Sequence, residues 1–145
     1  MLGVGNRYRR DDGAGSLLAE ALEPRTSALV IDGGCAPENY LEKAARSDPD
    51  TVIIIDAVDF GGAPGDVRVL EPASVGPGRL STHAPSLQMA ATYLKTRTRA
   101  RVTLLAIQPA EWTLGDELSE AVSQTVGALC RALPPMLDDS SKRDV

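Results

Sequence analysis

Histidine and cysteine are both scarce in this chain of 145 residues. His83 is the only histidine, so any chemistry that needs an imidazole at neutral pH depends on it. The two cysteines, Cys35 and Cys130, show neither a CxxC pair nor the spacing of a zinc site. A disulfide scaffold of the secreted kind is therefore excluded.

Long apolar runs and an excess of basic charge are also lacking. No run approaches the roughly 18 residues that span a bilayer, and the first residues lack the basic, apolar and small segments typical of a signal peptide. The formal net charge of -5 argues against a general nucleic-acid role. A composition of 43% hydrophobic and 24% charged residues fits one ordinary globular domain. We therefore expect a cytoplasmic protein that binds neither nucleic acid nor membrane.

Short apolar strands alternate with helical patterns, which predicts a parallel or mostly parallel sheet with helices on both faces. Strands are predicted at 1–4, 28–31, 51–55, 67–70 and 101–107, the fourth of them at the sheet edge. Helices are predicted at 14–22, 37–45, 85–94 and 119–133. The fold class is thus α/β, with a single domain over residues 1–137 and a twisted sheet of about five strands. Residues 138–145 form a charged tail that is predicted to be disordered.

Acidic side chains stand at the ends of two predicted strands. Asp11 and Asp12 follow the first strand, Asp56 ends the third, and a loop over 72–80 leads to His83. Because ligands gather beyond the carboxyl ends of parallel strands, these groups are expected to meet there. Two carboxylates and a neutral imidazole suit a borderline divalent ion such as nickel, zinc or cobalt. One of the neighbouring aspartates is expected to cap the first helix while the other faces the cleft.

Two other interpretations of local motifs compete with a metal site. The turn Gly3-Val4-Gly5-Asn6 is similar to the start of a dinucleotide-binding fingerprint, but Tyr8 occupies the position of its third glycine. Ser81 and His83 would make a nucleophile and its base, although no oxyanion-hole signature accompanies them. Both motifs are therefore weaker than the convergence of carboxylates and imidazole.

A receiver-like, magnesium-binding phosphoacceptor domain is a further alternative. It would place acidic residues after the first strand, at Asp11 and Asp12, and at the end of the third, at Asp56. Thr82 would supply the hydroxyl that follows the fourth strand. Such a domain also expects a lysine after the last strand, where this chain has Gln108.

Five ordered stretches resemble the hydrogenase maturation proteases, most closely the branch that processes the large subunit of hydrogenase 3. They are LGVGNRYRRDDGAGSLLAE at 2–20, VIDGGCAPEN at 30–39, IIIDAVDFGGAPGDVRVLEP at 53–72, STH at 81–83 and LLAIQP at 104–109. They occur in the family's order and spacing and extend over roughly residues 2–135. Members usually carry several more apolar residues before the first turn, so the first strand is expected to be shortened here.

The resemblance implies an endopeptidase that removes a C-terminal peptide from a nickel-iron hydrogenase large-subunit precursor after nickel insertion. It implies that Asp12, Asp56 and His83 bind a divalent metal, and that the Asp32-Gly33-Gly34 turn helps to place the substrate. The nickel belongs to the substrate, and neither an organic cofactor nor a metal of the protease's own is implied. The expected partner is the precursor, and the protease is expected to be a monomer.

Two questions about the cluster stay open at the level of sequence. Water at the scissile bond is activated either through the nickel ion or by an unassisted carboxylate base. The cluster is either catalytic or a non-catalytic recognition site for nickel-loaded precursor. Cys35 replaces the threonine or serine that is common after the Gly-Gly pair, and we expect it to be a neutral replacement.

Overall fold

Strands and helices alternate along residues 1–76 and 81–141, which the computed structural model describes. The strands are β1 (Leu2–Gly3), β2 (Ile31–Asp32), β3 (Thr51–Ala57), β4 (Val67–Leu70) and β5 (Arg101–Ile107). The α-helices are α1 (Ala14–Leu22), α2 (Leu41–Arg46), α3 (Ala84–Arg97) and α4 (Glu120–Ser141). Short 3-10 helices precede α1 and α2, at Arg10–Gly13 and Pro37–Tyr40.

The strands form one sheet in the order β2-β1-β3-β5-β4. β1 pairs in parallel with both β2 and β3. β3 pairs in parallel with β5 along its full length, from Thr51 opposite Arg101 to Ala57 opposite Ile107. β4 runs antiparallel to β5 at the edge, with Val67 opposite Ile107. The predicted α/β class with a mostly parallel, five-stranded sheet is confirmed, as is the edge position of β4.

Apolar side chains cover both faces of the sheet. One core cluster joins α2 and α3 to the sheet and includes Leu41, Leu87 and Ile54. The other joins α1 and α4 to the opposite face and includes Leu18 and Ile55. Ile54 and Ile55 serve different clusters because successive side chains of a strand point to opposite faces. Each fully buried leucine or isoleucine stabilises the fold by about 1.5–3 kcal/mol, so both helical layers are anchored.

Two glycines shape the backbone around the carboxyl end of β1. A Cβ atom on Gly15, in the first turn of α1, would collide with the carbonyl oxygens of Val4 and Ile55. The helix therefore packs directly on β1 and β3 because this residue is glycine. Gly34 has a φ of +52°, a left-handed conformation that glycine adopts readily, in the turn after β2.

The C-terminal helix is longer than predicted. We expected it to end at Leu133 and residues 138–145 to be disordered, but α4 continues through Pro134 and Pro135 to Ser141. Proline usually interrupts a helix because it lacks an N–H and its ring clashes with the preceding turn. At 22 residues α4 is the longest helix, yet no helix in the described part of the chain is long and apolar enough to cross a membrane.

Contacts distant in sequence explain the extra turns of α4. The carboxylate of Asp138 accepts hydrogen bonds from the hydroxyl of Thr26 and from the hydroxyl and N–H of Ser27. Leu137 packs against the core cluster that α4 shares with α1. These contacts hold residues 138–141 in the helix, so the expected disorder is wrong there. Residues 142–145 lie outside the described residues.

The remaining boundaries differ from the predictions by a few residues. β2 begins at Ile31, and the helix predicted over 37–45 starts as a 3-10 helix before α2. α3 spans Ala84–Arg97, one turn beyond its predicted end. In the predicted loop over 72–80, Pro72–Ser74 forms a 3-10 helix. Residues 77–80 of that loop lie outside the described part of the chain.

Candidate functional site

Three side chains that are distant in sequence meet beyond the carboxyl ends of β1 and β3. Asp12 lies in the 3-10 helix after β1, Asp56 is the penultimate residue of β3, and His83 immediately precedes α3. Each offers a ligand atom, and these atoms all lie within 4.8 Å of one another. β1 and β3 flank the point where the strand order reverses, which is where ligands bind in open α/β sheets. The structure thus brings together the residues that the sequence singled out.

This cluster is buried although all three side chains are ionisable. The exposed fractions are 1% for Asp12, 0% for Asp56 and 8% for His83. His83 Nδ1 lies 3.4 Å from Asp56 Oδ1, and His83 Nε2 lies 3.9 Å from Asp12 Oδ2. Two desolvated carboxylates in one cluster disfavour each other's charge, so the site requires a cation or protons.

Hydroxyl groups next to His83 occupy one oxygen of each carboxylate. Thr82 Oγ1 donates to Asp12 Oδ1 at 2.7 Å, and Ser81 Oγ donates to Asp56 Oδ2 at 2.9 Å. Ser81 Oγ also accepts the backbone N–H of His83 at 3.1 Å. Ser81 thus directs its proton to a carboxylate, which does not support a nucleophile paired with the His83 ring. Neither hydroxyl contact was predicted, because adjacency to His83 was the only signal in the sequence.

The hydrogen bonds assign the tautomer of a neutral His83 ring. Thr82 uses its single hydroxyl proton on Asp12, so Thr82 Oγ1 is an acceptor toward His83 Nδ1, which lies 3.1 Å away. Asp56 Oδ1 is a second acceptor facing the same nitrogen. Nδ1 therefore carries the proton, and the lone pair of Nε2 is left on the side of Asp12 Oδ2. That oxygen has no hydrogen-bond partner among residues 1–76 and 81–141.

Two lone-pair donors, His83 Nε2 and Asp12 Oδ2, thus lie 3.9 Å apart inside the protein. A buried carboxylate oxygen without a partner costs about 1–3 kcal/mol. A proton or a divalent cation removes that cost. A cation at about 2.0–2.2 Å from nitrogen and oxygen donors spans the observed separation without a rearrangement of the backbone. The orphaned oxygen is therefore suited to accept a proton or a cation.

Burial and charge oppose each other at the two titratable partners Asp56 and His83. Burial alone lowers the pKa of His83, but the hydrogen bond and charge of Asp56, with the charge of Asp12, raise that pKa above its ordinary value. Burial raises the pKa of the Asp56 carboxyl, and contacts with His83 and Ser81 offset only part of the rise. Both shifts in pKa favour a proton on the metal-free cluster.

The Asp32-Gly33-Gly34 turn lies beside the cluster and not within it. Asp32 Oδ1 accepts hydrogen bonds from Ser16 and from the N–H of Gly34, and Oδ2 pairs with Arg7 at 2.8 Å. The carbonyl of Gly34 accepts the N–H of Gly5 at 2.9 Å, which ties the turn to the end of β1. The groove beside it, of about 450 Å³, is also lined by Asn6, Tyr8, Leu17, Cys35 and Asp116. A substrate-placing role for the turn stays a prediction.

The neighbouring aspartates divide their contacts between two parts of the molecule. Asp12 faces the cluster. Asp11 is fully buried and accepts hydrogen bonds from the N–H groups of Ala110, Glu111 and Ser119, in the segment that leads into α4. The expectation that only one aspartate faces the cleft holds, but the expectation that the other caps α1 is wrong.

The receiver-like interpretation does not fit the sheet. The flavodoxin-like order of such domains is 2-1-3-4-5, whereas here β5 lies between β3 and β4, and β4 is antiparallel. Gln108 stands where a lysine is expected, and its amide is used in the loop after β3. It donates to Asp59 at 2.9 Å and accepts the N–H groups of Phe60 and Gly62. Gln108 is therefore a structural residue.

The sequence of this chain is similar to those of known hydrogenase maturation proteins. The profile of the hydrogenase maturation protease family, HycI, matches residues 14–133. The hydrogenase 3 maturation protease of Escherichia coli K12 is 39% identical over 112 residues, which cover 75% of this chain and 71% of that protein. The hydrogenase expression/formation protein HupM of Azotobacter chroococcum mcd 1 is 31% identical over 145 residues, which cover 92% of this chain and 68% of HupM.

Solved structures share the fold over nearly the whole chain. The NiFe hydrogenase maturation protease HycI from Thermococcus kodakarensis KOD1 has a TM-score of 0.85 at 33% identity, covering 94% of this chain and 89% of that one. The hydrogenase maturating endopeptidase HybD from E. coli has a TM-score of 0.79 at 27% identity, covering 96% and 91%. The resemblance found in the sequence is confirmed, and the chain belongs to the hydrogenase maturation protease family.

Proposed function

We propose that this protein is an endopeptidase that removes the C-terminal extension of a nickel-iron hydrogenase large-subunit precursor after nickel insertion. Membership of the protease family supports the hydrolytic activity. The observation that carries the nickel dependence is the unpaired Oδ2 of Asp12, which lies 3.9 Å from Nε2 of His83 inside the protein. In this proposal nickel arrives as part of the substrate.

The donor set of the cluster suits nickel. Asp12, Asp56 and His83 offer two carboxylate oxygens and one imidazole nitrogen, a combination that borderline divalent ions accept. Three protein donors leave coordination positions open, and ligands of the precursor fill them. A precursor without nickel brings no cation to the buried carboxylates, whereas a loaded precursor turns their repulsion into coordination. The resulting difference in affinity is the signal that loading is complete.

The free energy gained at one carboxylate oxygen, Asp12 Oδ2, is enough to distinguish nickel-loaded from nickel-free precursor. Satisfying a single orphaned, buried carboxylate oxygen is worth about 1–3 kcal/mol. A coupling free energy of that size distinguishes two states of a partner by about 5- to 150-fold. Asp12 Oδ2 alone therefore provides a selection of this order, before any contribution from Asp56 or His83.

Placement of the substrate chain is assigned to the groove beside the Asp32-Gly33-Gly34 turn. This groove borders the cluster, because Gly34 is bonded to Gly5 and the N–H of Asn6 donates to the carbonyl of Asp12 at 3.1 Å. The turn is held in place, because Asp32 pairs with Arg7 and accepts the N–H of Gly34. A turn held in this way next to the cluster of Asp12, Asp56 and His83 supports a role in aligning the scissile bond.

A cleavage assay tests this function directly. Purified protein is incubated with nickel-loaded and with nickel-free precursor, and shortening of the large subunit is followed by mass spectrometry. We expect only loaded precursor to lose its extension. His83→Ala and Asp12→Asn should abolish processing, whereas Asp139→Asn, at an exposed position of α4, should retain the wild-type rate.

Three outcomes contradict the proposal in different ways. Cleavage by His83→Ala at the wild-type rate would show that the cluster has been wrongly assigned. Retention of loaded precursor without any shortening would identify the protein as a non-catalytic binding module for the nickel-loaded state. Equal cleavage of loaded and empty precursor would remove nickel recognition while leaving the protease activity in place.

A further inference from the structure

Asp11 is fully buried, and a segment 99 to 108 residues further along the chain occupies both oxygens of its carboxylate. Oδ1 accepts the N–H of Ser119 at 2.7 Å. Oδ2 accepts the N–H of Ala110 at 2.8 Å, the N–H of Glu111 at 3.1 Å and the hydroxyl of Ser119 at 2.9 Å. The N–H of Asp11 itself donates to the carbonyl of Glu111 at 3.1 Å. One residue thus joins the turn after β1 to the segment before α4.

Further bonds join the same two segments. The N–H of Arg10 donates to the carbonyl of Gly115 at 2.8 Å, and the N–H of Gly115 donates to the carbonyl of Tyr8 at 2.9 Å. The side chain of Arg9 donates through Nε to the carbonyl of Trp112 at 3.0 Å. Arg10 has a φ of +50°, a conformation that a long side chain keeps only when its surroundings hold it. Hydrogen bonds therefore join residues 8–13 to residues 110–119.

Asp12 belongs to the turn of residues 8–13, and few other contacts determine the orientation of its side chain. Its N–H donates to the carbonyl of Arg9, and its carbonyl accepts the N–H of Asn6, both at 3.1 Å. Its carboxylate makes one hydrogen bond within the described residues, from Thr82 to Oδ1. The direction of Oδ2 therefore depends on the hydroxyl of Thr82 and on the backbone of the turn, and Asp11 anchors that backbone.

We propose that Asp11 is a positioning residue for the cluster of Asp12, Asp56 and His83. Its carboxylate fixes the turn after β1 against the segment before α4 and thereby aims Asp12 Oδ2 at His83 Nε2. The purpose of this alignment rests on the nickel-directed cleavage proposed above. The alignment itself is a property of the metal-free protein and is measurable without a precursor.

The single histidine provides a spectroscopic reporter of this alignment. In untagged, metal-free protein the ring of His83 gives one set of imidazole NMR signals. Asp11→Asn keeps the size of the side chain but turns an amide N–H2 group toward backbone N–H donors. We expect the imidazole signals to shift. The processing rate of nickel-loaded precursor should fall about 10- to 100-fold, as for other residues that support metal ligands.

Asp138→Asn is the matched control for a loss of hydrogen bonds between distant segments. Asp138 also joins two distant segments, because it accepts three hydrogen bonds from Thr26 and Ser27. This variant should lower the thermal midpoint but leave the imidazole signals and the processing rate unchanged. Ser119→Ala removes one of the four donors to Asp11 and should shift the signals less and in the same direction. It decides the question if Asp11→Asn does not fold.

The proposal is overturned if every folded variant of the pair Asp11→Asn and Ser119→Ala gives the imidazole signals of the wild type. Asp11 would then be a structural residue alone. An equally large shift in Asp138→Asn would overturn it too, because the ring would be reporting general loss of stability. If the wild-type protein fails to cleave loaded precursor, the proposed function fails while the NMR test of positioning stands.

Discussion

Asp138 and Asp12, at opposite ends of the sheet, use their carboxylates in opposite ways. At the amino end, α4 lies beside the start of β3, and Asp138 accepts three hydrogen bonds from Thr26 and Ser27. At the carboxyl end, Asp12 is fully buried, with one oxygen bonded by Thr82 and the other without a partner in the described part of the chain. The first arrangement stabilises the fold. The second leaves a carboxylate oxygen free to bind a ligand, at the expense of stability.

Among the effects that test this contrast, the largest is expected from removing the hydroxyl that is bonded to the unsatisfied carboxylate. Thr82→Val preserves the shape of the side chain but deletes the hydrogen bond to Asp12 Oδ1 and the acceptor facing His83 Nδ1. We expect processing of nickel-loaded precursor to fall about 10- to 100-fold, the usual effect of losing a group that orients a metal ligand. Initial rates measured by mass spectrometry check this prediction.

Two variants separate this effect from a general loss of threonine hydroxyls. Thr82→Ser keeps the donor and should retain most of the wild-type rate. Thr96→Val removes a hydroxyl that bonds the carbonyl of Thr92 within α3, and it should leave processing unchanged. A wild-type rate for Thr82→Val would mean that Asp12 does not need the hydroxyl to hold its orientation.

The next effect concerns the free energy of unfolding and should differ between the two ends of the sheet. Asp138→Asn weakens hydrogen bonds to a charged acceptor, and we expect the free energy of unfolding to fall by about 1–2 kcal/mol. Asp12→Asn removes a buried charge and gives the orphaned position an N–H that can donate to His83 Nε2. Its free energy of unfolding should be unchanged or higher by about 1 kcal/mol.

Urea denaturation of both variants, in the presence of a metal chelator, measures this contrast. Asp139→Asn on the exposed face of α4 controls for the loss of one negative charge and should lie close to the wild type. A loss of stability in Asp12→Asn as large as that in Asp138→Asn would show that Asp12 is held by interactions that its hydrogen bonds do not reveal.

The fold was predictable wherever apolar periodicity alone determines an element. α1, β4 and β5 have the predicted bounds, because amphipathic spacing or a continuous apolar run is a local property of the sequence. The predictions failed where distant contacts decide. β2 begins at Ile31 because pairing with β1 defines it, and α4 passes its two prolines because Asp138 is bonded to Thr26 and Ser27.

The candidate site was predictable in its location and less so in its details. The rule that ligands bind beyond the carboxyl ends of strands brought Asp56 and His83 together with the aspartates after β1. The choice of Asp12 over Asp11 came from the family resemblance, since the two residues are chemically identical. In the structure that choice is made by Ser119 and its neighbours, which bind Asp11 and are remote in sequence.

The smallest expected effect is a pH dependence at the carboxyl end of the sheet. The pKa of His83 lies above its ordinary value of about 6.5 because Asp56 and Asp12 favour the imidazolium in spite of burial. A raised pKa in the folded state stabilises the protein fully below the pKa of the unfolded chain. That stabilisation disappears as the pH rises through the folded pKa. The metal-free protein should therefore lose stability relative to His83→Ala as the pH increases through this window.

Urea denaturation of both proteins over a series of pH values measures this difference in the free energy of unfolding. The His83 ring binds one proton, so its own contribution to the slope is at most about 1.4 kcal/mol per pH unit. Subtracting the His83→Ala curve removes the contributions of all other groups that titrate alike in both proteins. A difference that grows with pH would show that burial dominates and that the ring is held neutral. His83 Nε2 would then be ready for a metal before any cation arrives, and the cluster would have no proton to release.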